Sequence, residues 1–536
     1  MDGLMSATPV ANPGDHKLSA QDSARLKAGA VGLFGVLFMA AANAAPITAM
    51  TFNVPIAIGY GNGIGAPGAF LFATIVLVIF TIGFVAMAKH VTTTGAFYGF
   101  ISHGLGQVWG MVSGLMAAIA YIVFEASLIG AFAYFASQYV LLPLGWSVNW
   151  MIIAAIGIVV IAILTYFSVT LTASILSITL TCEVLLLLAL GITVLVKGGP
   201  DGFMAAHTIN PAAGFQSLTA NQFGTTVAAG TAAIGVFFAF WSWIGYETTA
   251  VYGEESKNPK RNVPRATMIA VIALGVFYTF LSWMVVVGNG AKQSVALSAG
   301  SSPIDLWLGL VHNNLGGFLE TIYKLLVVIG SFACAMAFHN AAARYLYAMG
   351  REGAWPWMRN SVGKVNAKHG SPAFASFTQS AITLILCLAF LWGTNVYMAD
   401  SKGTMVAQPD LIPYVNVYGL LSIIGTAMIL IVMVITSLAV ISFFWFKRVH
   451  KGNVITTLLC PIVGAVGMLY VIFLLWQNKD FAAGAAADSL VFKLTPYYVL
   501  AAIVVGVVYA LYVRAKKPDV YAEIGRTTLQ EAHERV

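Results

Sequence analysis

FWSWIGYETTAVYGEESKNPKRNVPRA, residues 240–266, is the stretch on which the reading of this chain turns. A wholly apolar run enters it. Small and polar residues interrupt that run between Ser242 and Thr249, and the stretch ends in a basic cluster of Lys257, Lys260, Arg261 and Arg265. Lipid cannot satisfy free backbone N–H and C=O groups, so backbone that loosens inside a bilayer must be buried in protein or line a cavity. The stretch therefore reads as half of a substrate site that runs on into a cytoplasmic loop.

The composition places this stretch in a membrane. Of 536 residues, 59% are hydrophobic and 9% charged, whereas soluble domains carry about 25% charged residues. Between Lys27 and Glu254 stand only Lys89, Glu125, Glu183, Lys197, Asp201 and Glu247. The apolar runs match bilayer-spanning helices of about 20 residues, and they lack the period-two alternation of an outer-membrane barrel. A net charge of +7 fits basic cytoplasmic loops and requires no nucleic-acid partner. Cys182, Cys334, Cys387 and Cys460 lie scattered in apolar runs, without metal-ligand spacing, and read as small buried hydrophobes. No phosphate loop, metal-ligand cluster or nucleophile–base pairing is legible, so neither an enzyme nor a bound cofactor or metal is expected.

The chain reads as an all-α membrane protein with twelve transmembrane helices, at about 29–58, 66–88, 106–140, 148–167, 172–196, 229–255, 265–289, 317–348, 373–393, 414–446, 454–476 and 495–514. With a cytoplasmic N-terminus, 21 of the 27 Lys and Arg residues fall on the inside. That bias places both termini in the cytoplasm and the protein in the cytoplasmic membrane as a multi-pass chain. Residues 1–28 and 515–536 read as polar cytoplasmic tails, 29–446 as a ten-helix transport core, and 447–514 as two further helices. Residues 92–106 read as a cytoplasmic turn with an interfacial helix. Arg344 reads as an interfacial anchor, and spans nine to twelve read as scaffold.

The first span carries Asn43 and Pro46 among alanines near its centre. Proline removes a backbone donor and clashes with the preceding turn. The span is therefore either kinked or discontinuous. Two interrupted spans at matching places in two halves point to a transporter site. Here they are the first and the sixth, in opposite orientations, which predicts two five-helix units, 1–5 and 6–10, related by inversion. A broken helix exposes amides at the start of its second half, where a substrate carboxylate can sit. The carbonyls ending its first half can hold an ammonium group. Asn43, Ala44, Ala45, Pro46 and Ile47, with the segment from Ser242 through Ile244 and Gly245 to Glu247, would supply these groups. Trp243 and Tyr246 would wall the pocket, and Tyr121 of the third span would join them. Glu247 either caps the break or faces the cytoplasmic vestibule.

Two carboxylates stand at depth. Glu125 and Glu183 have no basic residue within four positions, so local ion pairing is excluded. An unpaired carboxylate there costs about 2.5–3.5 kcal/mol or more. Each is therefore a neutral group bonded to another helix, a group paired across helices, or part of a pathway. Glu125 would meet a second substrate amine if it faces the pocket. His339 reads as a hydrogen-bonded packing residue, and Lys324 as a snorkelling one.

The segment GYETTAVYGEESKNPKRNVPRA, 245–266, resembles the sixth-helix region of the amino acid–polyamine–organocation permeases, with its glycine–aromatic–acid break followed by E-x-x-N-P-x-R-x-x-P-R-A. AFHNAAARYLYAMGREG, 337–353, is similar to that family's eighth-helix end. The resemblance covers at least spans one to ten. It implies the leucine-transporter-type 5+5 inverted repeat with broken helices 1 and 6, a small amine or amino acid as substrate, alternating access and coupling to an ion gradient. AAANAAP, 40–46, replaces the family's G-S-G-I-F type signature, so the carboxylate site is placed by position. Some prokaryotic members carry a lysine in the fifth helix near where others hold sodium. Glu183 stands there in this chain, which makes it the candidate for proton coupling, with Ser331 of the eighth span as a second ion-coupling residue. The expected function is a secondary transporter of an amino acid or related amine, driven by protons. The alternatives are a polyamine or cationic amino acid transporter or exchanger, and a non-transporting ligand sensor on the same scaffold.

Overall fold

The structure is a computed structural model that describes residues 26–167, 169–300, 302, 304–353, 356–366, 368–391, 396–399, 404–479 and 489–526. The N-terminal tail ahead of Leu26 and the end of the C-terminal tail lie outside the described residues.

The described chain is predominantly helical. Among the described residues, eight helical stretches are long and apolar enough to cross a membrane by length and composition, and Trp150–Tyr166 and Ala373–Ala389 are shorter apolar helices. In chain order the elements that matter are α1 (Leu33–Asn43), α2 (Pro46–Ala57), α3 (Ala66–Ala88), α4 (Phe97–Leu105), α5 (Gln107–Ala136), α6 (Trp150–Tyr166), α7 (Val169–Lys197), α8 (Ala232–Trp241), α9 (Pro259–Asn289), α10 (Gly317–Arg351), α11 (Ala373–Ala389), α12 (Leu421–Ile441), α13 (Cys460–Gln477), α14 (Thr495–Lys516) and α15 (Pro518–Glu523).

α5 is the central post. α4, α6, α10, α11, α12 and α14 all pack on it. α3 lies against α8, α9 and α13. The outer faces carry exposed apolar side chains, among them Ile156 on α6, Ile178 and Leu185 on α7, Val466 and Phe473 on α13 and Val508 on α14. So much exposed apolar surface marks contact with lipid. The chain is a multi-pass membrane protein.

The structure adds to or changes several local expectations. The 92–106 segment does contain a helix, α4, and it is buried under α5 and α12. Arg344 is not an interfacial anchor. It is buried and bonded through two nitrogens to Glu255, Nε to Oε2 at 2.6 Å and Nη2 to Oε1 at 2.9 Å. Arg351 pairs likewise with Glu254, so the E-E pair of the opening stretch ties the sixth region to the end of α10. Cys182 is exposed on α7, whereas Cys334 and Cys387 are buried. The segment after α11 holds an antiparallel pair of short strands, β1 (Tyr397–Ala399) and β2 (Met405–Ala407). Lys324 does not simply snorkel, because it pairs with Glu320 one turn earlier. Beyond α14 the described tail is also structured. Ile524 is buried, and the Gly525 N–H donates to Glu352 at 2.8 Å.

Candidate substrate site at two helix breaks

The first predicted break is a true discontinuity. α1 closes at Asn43, and Ala45 takes φ 44° and ψ 68° before α2 opens on Pro46. A left-handed non-glycine residue costs about 1–2 kcal/mol, and such strain collects where a structure is built for function. Proline suits the first helical position because its missing N–H would have no partner there. In the second break α8 closes at Trp241, a turn follows, Gly245 takes φ 114°, and a tight helical segment runs over Tyr246–Tyr252.

The two breaks touch. A Cβ on Gly245 would lie 2.5 Å from the Asn43 Cβ and 2.9 Å from its carbonyl carbon. Asn43 Nδ2 donates to Thr248 Oγ1 at 2.7 Å, and Thr248 donates to the Gly245 carbonyl at 2.6 Å. Further along, Asn53 Nδ2 donates to Ser242 Oγ at 2.9 Å.

Side chains from other helices hold the loosened backbone. Tyr278 of α9 donates to the Ala44 carbonyl at 2.8 Å, and the Cys334 thiol of α10 donates to the Asn43 carbonyl at 3.3 Å. Glu183 of α7 accepts the Ile47 N–H at 3.3 Å. A carboxylate thus already sits on an amide at the start of α2, beside its partial positive charge. Glu247 caps its own break. Its Oε2 accepts the Gly245 N–H at 2.9 Å, and its Oε1 accepts the Tyr121 hydroxyl at 2.8 Å. Ser331 is buried and donates to the Val327 carbonyl. Its neighbour Gly330 lies close enough to Glu183 that an added Cβ would come 2.7 Å from Oε1.

A cavity of about 30 Å³ opens between the breaks, room for a water or two and not for an amino acid. Asn43, Ala44, Ala45 and Ile244 line it, as do Trp241 and Ser242. Phe124, Phe338, Cys334, Tyr418 and Ser422 complete the aromatic and polar wall. No charged side chain lines it. Three buried polar atoms of lining residues, Asn43 Oδ1, Thr48 Oγ1 and Asn53 Oδ1, have no protein partner. Buried polar groups are normally paired, so these three atoms retain unused hydrogen-bonding capacity.

The other sequence candidates lie outside the lining. Pro46 and Ile47 sit on the α2 side of the break. Trp243 packs against Phe70 and Tyr278, Tyr246 bonds to Thr81, and Tyr121 is held by Glu247. Glu125 faces away from the cavity and bonds to His339 and Gln379. Spans nine to twelve are not scaffold alone, since Gln379 meets Glu125 and the tenth span brings Tyr418 and Ser422 to the cavity. PYVNVYG, 413–419, carried the visible signal, a proline and an asparagine opening an otherwise apolar span. Trp241 directly precedes the break, and Phe124 and Phe338 each precede a flagged residue.

Apolar spans and two discontinuous helices that meet at a small neutral cavity mark a membrane transporter of small solutes. The chain belongs to the amino acid permease family, whose model matches residues 31–515, within the amino acid–polyamine–organocation permeases. These are transporters and not enzymes. The chain is similar to the branched-chain amino acid permease BcaP of Lactococcus lactis, at 23% identity over 361 residues, 64% of this chain and 72% of that one. It is similar to the low-affinity putrescine importer PlaP of Escherichia coli K12, at 23% over 358 residues, 66% and 73% of the two chains. It is also similar to the serine/threonine exchanger SteT of Bacillus subtilis, at 20% over 303 residues, 56% and 63%.

Proposed function

We propose that the chain is a secondary active transporter that carries a neutral amino acid across the cytoplasmic membrane by alternating access, with proton symport through Glu183. On this reading the chain crosses the membrane twelve times. The spans are the eight long stretches, with Leu33–Ala88 counted as two, the two shorter apolar helices, and the broken α8 segment. Spans 1–5 and 6–10 form the two inverted units, spans 11 and 12 follow the core, and both termini are cytoplasmic.

The observation that carries the coupling reading is the Glu183 carboxylate on the Ile47 amide at the first break. A substrate carboxylate drawn to the same amides would meet a like charge in a low dielectric, and a proton on Glu183 removes that repulsion. Ser331, the neighbour of the Gly330 that approaches Glu183 and Ile47, is the second candidate for ion coupling. The substrate's ammonium group would take the free oxygens of Asn43 and Asn53, and its side chain would lie among Phe124, Trp241, Phe338 and Tyr418. The neutral lining favours a neutral amino acid over the diamine that PlaP imports, and Glu125 offers no carboxylate to a second amine.

The test is L-leucine uptake into proteoliposomes at two external pH values, with putrescine and arginine as competitors. Wild type should accumulate leucine faster with an inward proton gradient, and Glu183→Gln should lose that acceleration while keeping exchange. Full gradient-driven uptake by Glu183→Gln would sink the proton role. Inhibition by putrescine in place of neutral amino acids would move the substrate to the polyamine class.

A further inference from the structure

Behind the aromatic wall lies a buried group of polar side chains that this transport scheme does not use. Glu125 and His339 are fully buried, on α5 and α10. His339 Nδ1 stands 2.9 Å from Glu125 Oε1, and His339 Nε2 stands 2.7 Å from Ser376 Oγ on α11. Ser376 Oγ is 2.8 Å from Thr165 Oγ1 at the end of α6, and Thr165 donates to the Ile161 carbonyl at 2.7 Å. Gln379 Nε2 donates to the other oxygen of Glu125 at 2.5 Å.

Counting donors along this chain places a proton. Between Nδ1 and Oε1 one proton is required, because without it two lone pairs would face each other at 2.9 Å. The Gln379 amide on the second oxygen favours the carboxylate form, with that proton on Nδ1. On the other side of the ring the hydroxyls can run either way, because each can donate or accept. Thr165 Oγ1 also stands 3.3 Å from Nε2. With Thr165 donating to the Ile161 carbonyl, Ser376 donates to Thr165 and accepts from Nε2–H, and the group carries a second proton and is net neutral. With Thr165 donating to Ser376, Ser376 donates to a bare Nε2, and that proton is gone. Removing the second proton leaves one negative charge in the protein's apolar interior, which is costly.

Among the described residues, the surroundings offer no other charge to compensate. α5 also carries Tyr121, bonded to Glu247. On α10, Arg344 is bonded to Glu255 and Tyr345 accepts the Phe97 N–H. α11 contributes Cys387, α6 ends in Tyr166, α7 contributes Glu183 on its Ile47 amide, and α12 has no titratable side chain. Phe124 and Phe338, each one residue ahead of Glu125 and His339, stack at 4.8 Å and line the cavity.

We propose that Glu125, His339 and Ser376 form a second proton-binding site, distinct from Glu183, whose occupancy sets the α5–α10 aromatic wall and through it substrate affinity. The affinity half of this inference rests on the transporter reading, and the proton half does not. The chain of hydroxyls ends at Thr165 in the last turn of α6, and the proton enters and returns from that end. No covalent bond changes, and the Ser376 and Thr165 hydroxyls reverse to accept and release it.

Two measurements on the full-length protein test it. The first is 15N-histidine NMR in lipid nanodiscs across the pH range in which the protein stays folded. One resonance, absent from His339→Gln, should pass from imidazolium to neutral as pH rises. A His339 resonance that keeps one form throughout overturns the proposal. The second is L-leucine counterflow in Glu183→Gln, where the coupling residue is silent. Its KM should rise with pH, by up to about tenfold per unit, the limit for one linked proton. Glu183→Gln/His339→Gln should be flat, and an unchanged slope overturns the proposal. Should that double variant misfold, Glu183→Gln/Ser376→Ala keeps the pair and removes the acceptor, so its profile must shift; an unshifted profile counts against the site. Failure of wild type to exchange leucine at all refutes the transporter reading instead, and the NMR result still judges the proton site.

Discussion

Gly245→Ala tests whether the two breaks form one site. Gly245 sits at φ 114°, where an alanine is strained by about 1–3 kcal/mol. Its new Cβ would meet the Asn43 Cβ at 2.5 Å and Asn43 backbone atoms at 2.9 and 3.0 Å. Backbone cannot rotate away as a side chain tip can, so α1 and the α8 turn must part. Parting them breaks the Asn43–Thr248 hydrogen bond, worth about 1 kcal/mol net. Together these give about 2–4 kcal/mol, or about 30- to 1,000-fold at 1.4 kcal/mol per factor of ten. The assay is initial-rate L-leucine uptake in proteoliposomes, read beside thermal unfolding of the same sample. Both rate and melting temperature should fall. Asparagine accepts positive φ better than alanine, so a Gly245→Asn variant as inactive as Gly245→Ala assigns the loss to the contact with Asn43. Wild-type uptake and wild-type melting in Gly245→Ala would refute the reasoning, because the breaks would then not abut.

Two other predictions follow from buried groups. Arg344→Met leaves Glu255 buried and unpaired, which should cost about 3–5 kcal/mol in unfolding measurements; adding Glu255→Leu should restore much of it, since an apolar pair replaces a buried ion pair at little cost. Cys334 lines a cavity too small for a maleimide, so N-ethylmaleimide should modify it only as the protein opens. Saturating leucine should slow that modification, and equal rates with and without leucine would place the thiol outside the substrate path.

The helices were legible because a bilayer permits few alternatives. Low charge and long apolar runs leave only spanning helices, and Pro46 and Gly245 mark where two of them cannot continue. The breaks were legible for the same reason, since proline and a glycine beside polar residues have a local cost that the sequence displays. Partners were not legible. Nothing in the spacing of Glu183 says that it reaches Ile47, 136 positions away, and nothing near Arg344 says that it meets Glu255 instead of water. Side-chain direction was the other blind spot. Trp243 and Tyr246 lie at the break, yet they turn towards Phe70 and Thr81, while Trp241 and Ile244 turn inward. Once a helix gives way to a turn its 3.6-residue period no longer predicts which residue faces the cavity.

The same limit explains why the acid–base pair was read as two separate residues. Glu125 and His339 lie 214 positions apart, and each alone is adequately explained as a bonded packing group. Only their meeting, with Ser376 and Gln379 from a third helix, turns two unremarkable residues into a candidate proton-binding site. A carboxylate at depth is therefore informative only with its partners. Glu247 meets a hydroxyl and an amide and becomes a cap. Glu255 meets a guanidinium and becomes a clamp. Glu183 meets a single backbone amide at the break, and of the four it is the one whose charge a substrate carboxylate would confront directly.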